Sequence, residues 1–87
     1  MSKVVVYTTH YCPYCRAAEN LLREKEVDFE GIDVTNDPKK RLWLAETTGY
    51  KTVPQIFIDE KPIGGFDNLK KLDDSGELDN LLNSITK

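Results

Sequence analysis

The sequence has little of what most functional classes require. Its 87 residues include two cysteines and one histidine, and the net charge is only −3. No apolar run exceeds a few residues, against the roughly 20 that a membrane-crossing helix needs, so no membrane association is expected. The N-terminal Met1-Ser2-Lys3-Val4-Val5-Val6 lacks the basic, long apolar and small-residue regions of a secretory signal. A cytoplasmic location is expected, unless a targeting peptide was removed ahead of this numbering. No basic surplus covers a face. Lys39-Lys40-Arg41 and Lys70-Lys71 lie among acidic neighbours and read as solvated helix surface, so nucleic acid is not an expected partner. A metal site is not expected either. Tetrahedral zinc needs four ligands, and two cysteines with His10 do not close such a site in a monomer, the expected state.

What is present suits one domain over residues 1–87. A 39% hydrophobic share is enough for a modest core and too little chain for a second. The two cysteines, Cys12 and Cys15, are too close to staple a fold, because the loop they would close constrains little. A secreted disulfide scaffold is excluded. In an intracellular chain such a pair is catalytic or metal-binding.

Lys3 to Thr8, with Val4-Val5-Val6-Tyr7, predicts a strand buried on both faces. Pro13 suits the first position of a helix. That helix turns Ala17, Ala18, Leu21 and Leu22 inward, presents Arg16, Glu19, Arg23 and Glu24 outward, and fades near Lys25. Asp28 to Val34 is a second strand, interrupted by Gly31. Asp37-Pro38 starts another helix, with Leu42, Trp43 and Ala45 facing inward and Gly49 as its stop. Gln55 to Ile58 is a third strand, turned by Asp59-Glu60-Lys61-Pro62 into a short fourth at Ile63-Gly64. Asp67 is the expected N-cap of a helix carrying Leu69 and Leu72. A last helix shows the stripe Leu78, Leu81, Leu82, Ile85. The order β-α-β-α-β-β-α-α, with a right-handed parallel βαβ unit and an antiparallel hairpin, gives a four-stranded mixed sheet flanked by helices. This α/β layout is of the thioredoxin type.

A Cys-x-x-Cys pair between a strand and a helix has a physical logic. Cys12 at the N-cap meets the unpaired N–H groups and the positive dipole end of the first turn, which favour thiolate over thiol. Cys15, one turn inside, is less exposed and less acidic. Cys12 is therefore the attacking sulfur and Cys15 the resolving one.

Cys12-Pro13-Tyr14-Cys15, Thr52-Val53-Pro54-Gln55-Ile56-Phe57-Ile58 and Gly64-Gly65-Phe66-Asp67-Asn68-Leu69 together resemble a glutaredoxin over essentially the full chain. The resemblance implies a cis bond before Pro54, beside the dithiol. It implies no permanently bound cofactor, with glutathione as reducing co-substrate. Val53 would pair with the tripeptide's cysteinyl backbone, within a Thr52-Val53-Pro54 segment that borders the groove. The N–H groups of Phe66 and Asp67, after Gly65, would receive its γ-glutamyl carboxylate. The Asp67 carboxylate and Asn68 would meet its amino group, Tyr14 would flank the groove, and Arg41 and Lys51 would face the glycyl carboxylate. One departure stands out: Thr9 occupies a position where many glutaredoxins carry lysine, and a protonated His10 would replace part of that field.

The function implied is glutathione-dependent reduction of protein disulfides and of glutathionylated proteins. Two other readings remain open. One is a redoxin reduced by thioredoxin reductase; the other is an iron–sulfur cluster-binding dimer, which Pro13 disfavours.

Overall fold

The computed structural model describes residues 4–10, 12–50 and 52–86, the last three through their backbone alone. Four strands, β1 (Val4–Thr8), β2 (Glu30–Asp33), β3 (Gln55–Ile58) and β4 (Lys61–Gly64), form one sheet in the order β2-β1-β3-β4. β2 runs parallel to β1, whereas β3 is antiparallel to both β1 and β4. Four helices accompany it: α1 (Pro13–Glu24), α2 (Pro38–Thr48), α3 (Phe66–Ser75) and α4 (Glu77–Thr86).

The alternation of side chains along the two central strands divides the core. Val4, Val6, Ile56 and Ile58 face one side, where they meet Ala18 and Leu22 of α1, Leu69 of α3, and Leu78 and Leu82 of α4. Tyr7 and Phe57 face the other, against Leu44 of α2 and Val34. Both faces are thus covered, and the continuous apolar reading of β1 follows. Lys25, just past α1, ties the first layer together. Its ammonium lies 2.6 Å from Asp73 and 3.1 Å from Asp79, joining α1 to the other two helices.

Several expected details are different. In α2 it is Leu44 that turns inward, while Leu42 is 60% exposed and Trp43 41%. Residues two apart on a helix are separated by about 200°, so only one of Leu42 and Leu44 can face the sheet. Trp43, although partly exposed, lies over the two central strands, beside Tyr7 and stacked on Phe57 at 5.9 Å, with Lys40 4.7 Å from its ring. β2 is shorter than Asp28 to Val34. It is an edge strand, and its ladder extends only as far as its register with Val5–Thr8 of β1. The β3–β4 turn takes only Asp59 and Glu60, both left-handed at φ 52° and 67°. That pair of dihedrals matches the twist of a two-residue hairpin loop. Pro62 is therefore inside β4, which it tolerates because an edge strand has one unpaired side. Lys3 and the side chain of Ile85 lie outside the described residues.

Candidate active site

Cys12 caps α1 from an extended backbone conformation. Its Sγ accepts the Cys15 amide N–H at 3.1 Å, and its carbonyl oxygen accepts from Cys15 and Arg16. Pro13, the first helical residue, has no N–H to leave unsatisfied. The Cys12 thiol reaches across to the carbonyl oxygen of Val53 at 3.6 Å. The sulfur at the helix entrance is therefore in contact with the loop that precedes β3. The Val53–Pro54 bond in that loop is cis, as the resemblance implied.

Cys15 is 1% exposed. Burial pushes its thiol up to about 12, reinforced by the hydrogen bond with Cys12 and by the charges of Cys12 and Glu19. The backbone of Thr9 offers the Cys15 sulfur a hydrogen bond that works in the other direction. Both cysteines are free thiols here, one half-buried and one buried. The expected asymmetry between them is present in their exposure.

Beside the dithiol is an open cleft of about 290 Å³. Tyr14 of α1, Thr52 to Pro54 of the loop, and Gly65 to Asn68 at the start of α3 all line it. Eight of the expected binding residues are thereby brought to one place. Arg41 is set apart from them. It borders a shallow adjoining recess that shares Tyr50, Thr52, Val53 and Gln55 with the cleft. Lys51 lies outside the described residues. The Tyr14 and Phe66 rings, 6.2 Å apart, face each other across one part of the lining.

Asp67 is not the cap of α3. Gly65 is, without any side-chain capping bond, and Asp67 belongs to the first turn. The cause is Gly64, where the chain leaves β4 at φ 118° and enters the helix almost at once. A Cβ there would stand 2.1 Å from the Asn68 side-chain nitrogen, so the absence of one lets Asn68 lie over the strand end. The N–H groups opening α3 have no partners within the helix, which leaves them available to an anion.

His10 is engaged by Asp33 and Thr35. Its Nε2 is 2.8 Å from Asp33, and its amide donates to the Thr35 hydroxyl at 2.9 Å. Asp33 is held below the usual carboxylate range, first by hydrogen bonds from Thr35 and then by His10 and Arg16. Any His10 charge is therefore met by a carboxylate of its own.

Three lining residues were not among the expected binding residues: Tyr50, Gln55 and Gly64. Gln55 is 3% exposed, and its amide donates to the Tyr50 carbonyl at 2.9 Å. Thr48 joins them, its hydroxyl accepting the Tyr50 N–H at 3.1 Å. A glutamine opening an otherwise apolar strand was the available signal, since buried amides need partners. Glu19, expected on the outer face of α1, is buried at 8% exposure.

A model of the glutaredoxin family matches residues 4–63. The chain is 48% identical to a glutaredoxin of Pseudomonas aeruginosa, over 97% of this chain and all of that protein. It is 45% identical to glutaredoxin 3 of Escherichia coli, over 94% of this chain and 99% of that one. Among solved structures, a buckwheat glutaredoxin–glutathione complex superposes with a TM-score of 0.89 at 28% identity, covering 95% of this chain and 78% of that one. A glutaredoxin from Brucella melitensis superposes at 0.84 with 44% identity, covering 94% and 89%.

Proposed function

Since the chain belongs to the glutaredoxin family, and is with it a thiol–disulfide oxidoreductase, we propose that it uses glutathione to reduce protein disulfides and glutathionylated proteins. The observation that carries this reading is the contact between Cys12 and Val53, which puts the attacking sulfur beside the cleft. The buckwheat relative, whose structure is a complex with glutathione, supports the same ligand.

The residues divide the work. The Cys15 amide, aimed at the Cys12 sulfur, stabilises negative charge there. Cys12 thiolate attacks the glutathione sulfur of a glutathionylated substrate, takes the glutathione as a mixed disulfide, and releases the substrate thiol. A second glutathione attacks that mixed disulfide and leaves as glutathione disulfide. With a protein disulfide, Cys12 forms the mixed disulfide and Cys15 displaces the substrate. Two glutathiones then reduce the resulting Cys12–Cys15 bond.

Glutathione lies along the cleft with its cysteinyl backbone on Val53, in the manner of an added strand. Its γ-glutamyl carboxylate meets the N–H groups that open α3, and its amino group meets Asp67 and Asn68. Tyr14 covers one flank, with Thr52, Pro54 and Gly65 completing the walls. Arg41 and Lys51 supply positive charge for the glycyl end.

The test is turnover of a glutathionylated peptide with glutathione and glutathione reductase, compared with turnover supported by thioredoxin reductase. Activity in the first system and none in the second is expected. The reverse pattern would remove glutathione from the reading.

A further inference from the structure

Glu19 follows Cys15 by four residues on α1, and the helical repeat puts the two on one face, one turn apart. Both are buried, an uncommon situation for a carboxylate. One oxygen of Glu19 lies 3.5 Å from the Arg16 guanidinium, whose side chain is 69% exposed and therefore well screened by water. The other lies over Gly31 of β2, 3.2 Å from where a Cβ would stand. A glycine that merely interrupts the strand pattern in the sequence thus makes room for this carboxylate. The charge adds to the opposition that burial already raises against ionisation of Cys15.

We propose that Glu19 acts through Cys15, its buried negative charge slowing capture of the Cys12 mixed disulfide, so that a glutathione adduct on Cys12 passes to an outside thiol first while a protein adduct still awaits Cys15. The inference rests on Cys15 as the resolving residue of the function proposed above. In capture, Cys15 gives its proton to solvent and its thiolate attacks Cys12 Sγ. The bond from Cys12 to the substrate sulfur breaks, and that sulfur leaves with the bonding pair and takes up a proton. One disulfide replaces another, and no further oxidant or reductant enters. Attack needs the thiolate, so a carboxylate one turn away slows this step selectively. Glutathione attacking the same bond from the cleft brings its own sulfur and is not held back. Glu19 touches no reacting atom and is a positioning residue. The titratable groups acting on Cys15 are Cys12 and Glu19, and the loop after β1 adds the Thr9 backbone. His10 and Asp33 pair with each other, and the Arg16 charge also acts on Asp33.

The experiment mixes the reduced full chain rapidly with the chromogenic disulfide of thionitrobenzoate. Cys12 releases one coloured thiolate on attack, and capture by Cys15 releases the second, with no glutathione present. Glu19→Gln is expected to speed the second phase roughly three- to tenfold, the range for one charge one helical turn away. Its pH profile should move to lower pH by a corresponding amount. Glu19→Asp keeps the charge and should restore the slow phase. Arg16→Ala, an exposed change independent of how Glu19 packs, should slow capture roughly twofold by removing partial neutralisation. An unchanged or slower second phase in Glu19→Gln overturns the inference, the slower result making Glu19 a proton acceptor. So does an unchanged or faster one in Arg16→Ala. In Cys15→Ser the second phase should vanish. Its persistence would remove the resolving role itself, and the inference with it, whereas glutathione dependence is read separately from turnover with glutathione reductase.

Discussion

The sulfur of Cys12 and the carbonyl oxygen of Val53 stand 3.6 Å apart, though 41 residues separate them in the chain. One belongs to a helix start and the other to the loop before a central strand. Neither element alone makes a redox site. Their meeting puts a nucleophile where an extended peptide or tripeptide can pair with backbone and present a disulfide at the same time.

That arrangement assigns unequal fates to the two cysteine variants. Cys12→Ser should abolish both deglutathionylation and protein-disulfide reduction. Cys15→Ser should keep deglutathionylation within a few-fold of wild type and lose most protein-disulfide reduction, because only the second reaction needs an internal resolving thiol. Steady-state assays with a glutathionylated peptide and with a disulfide-bonded protein check this. Equal loss of both activities in Cys15→Ser would contradict the roles given to the pair.

The buried thiol also makes stability depend on pH in a definite direction. Cys15 ionises at an ordinary value of 9.0 when unfolded and is pushed up to about 12 in the fold. Between those values the unfolded chain has lost a proton that the folded one keeps. Alkali therefore favours unfolding, and the stabilisation present below about pH 9 is lost as pH rises toward 12. Tyr7, raised by burial and by Glu30, works in the same direction. Urea melts of the reduced protein at pH 8 to 10 should show a steeper fall for wild type than for Cys15→Ser. Parallel slopes would mean that the thiol ionises as freely folded as unfolded.

Much of this was legible in the sequence, and the parts that were not have specific causes. Proline at position 13 and aspartate before Pro38 marked two helix starts, because capping and ring chemistry are local. In the second helix the sequence placed Leu42, Trp43 and Ala45 inward, and only packing beside Tyr7, Val34 and Phe57 shows that Leu44 is the buried one. Asp67 had the chemistry of a cap, but the backbone at Gly64 moved the helix start two residues earlier. Glu19 read as a surface charge since nothing on its own helix shows that Gly31 lies beneath it. The site followed the same rule. Its cysteines, loop and helix start were visible as motifs, whereas Tyr50 and Gln55 entered through a tertiary hydrogen bond.

Gly64 offers a steric test of the cleft's far end. Alanine there would have to hold φ 118° and would place its Cβ 2.1 Å from the Asn68 side chain. Gly64→Ala should cost about 1–3 kcal/mol in urea unfolding and raise the KM for a glutathionylated peptide several-fold. Adding Asn68→Ala removes the clash, so the double variant should regain part of the stability but not the KM. Strict additivity of the two stability losses would show that Asn68 does not lie over Gly64.

Gln55 should control binding from behind the cleft wall. Its amide holds the Tyr50 carbonyl, and Thr48 holds the Tyr50 N–H, so Tyr50 in the cleft lining is fixed from two sides. Gln55→Ala leaves that carbonyl with only the longer 3.3 Å hydrogen bond from the Thr48 hydroxyl and should lower stability by about 1 kcal/mol. Its catalytic effect should fall on KM for the glutathionylated peptide, raised several-fold, with kcat nearly unchanged, because Cys12 and the Cys15 amide are untouched. The rate of Cys12 alkylation by iodoacetamide separates the two contributions. It should stay near the wild-type value in Gln55→Ala, since the groups that reach the Cys12 sulfur are the Cys15 amide and the Val53 carbonyl and not Gln55. A fall in that rate matching the fall in kcat/KM would instead place Gln55 among the groups that set Cys12 reactivity.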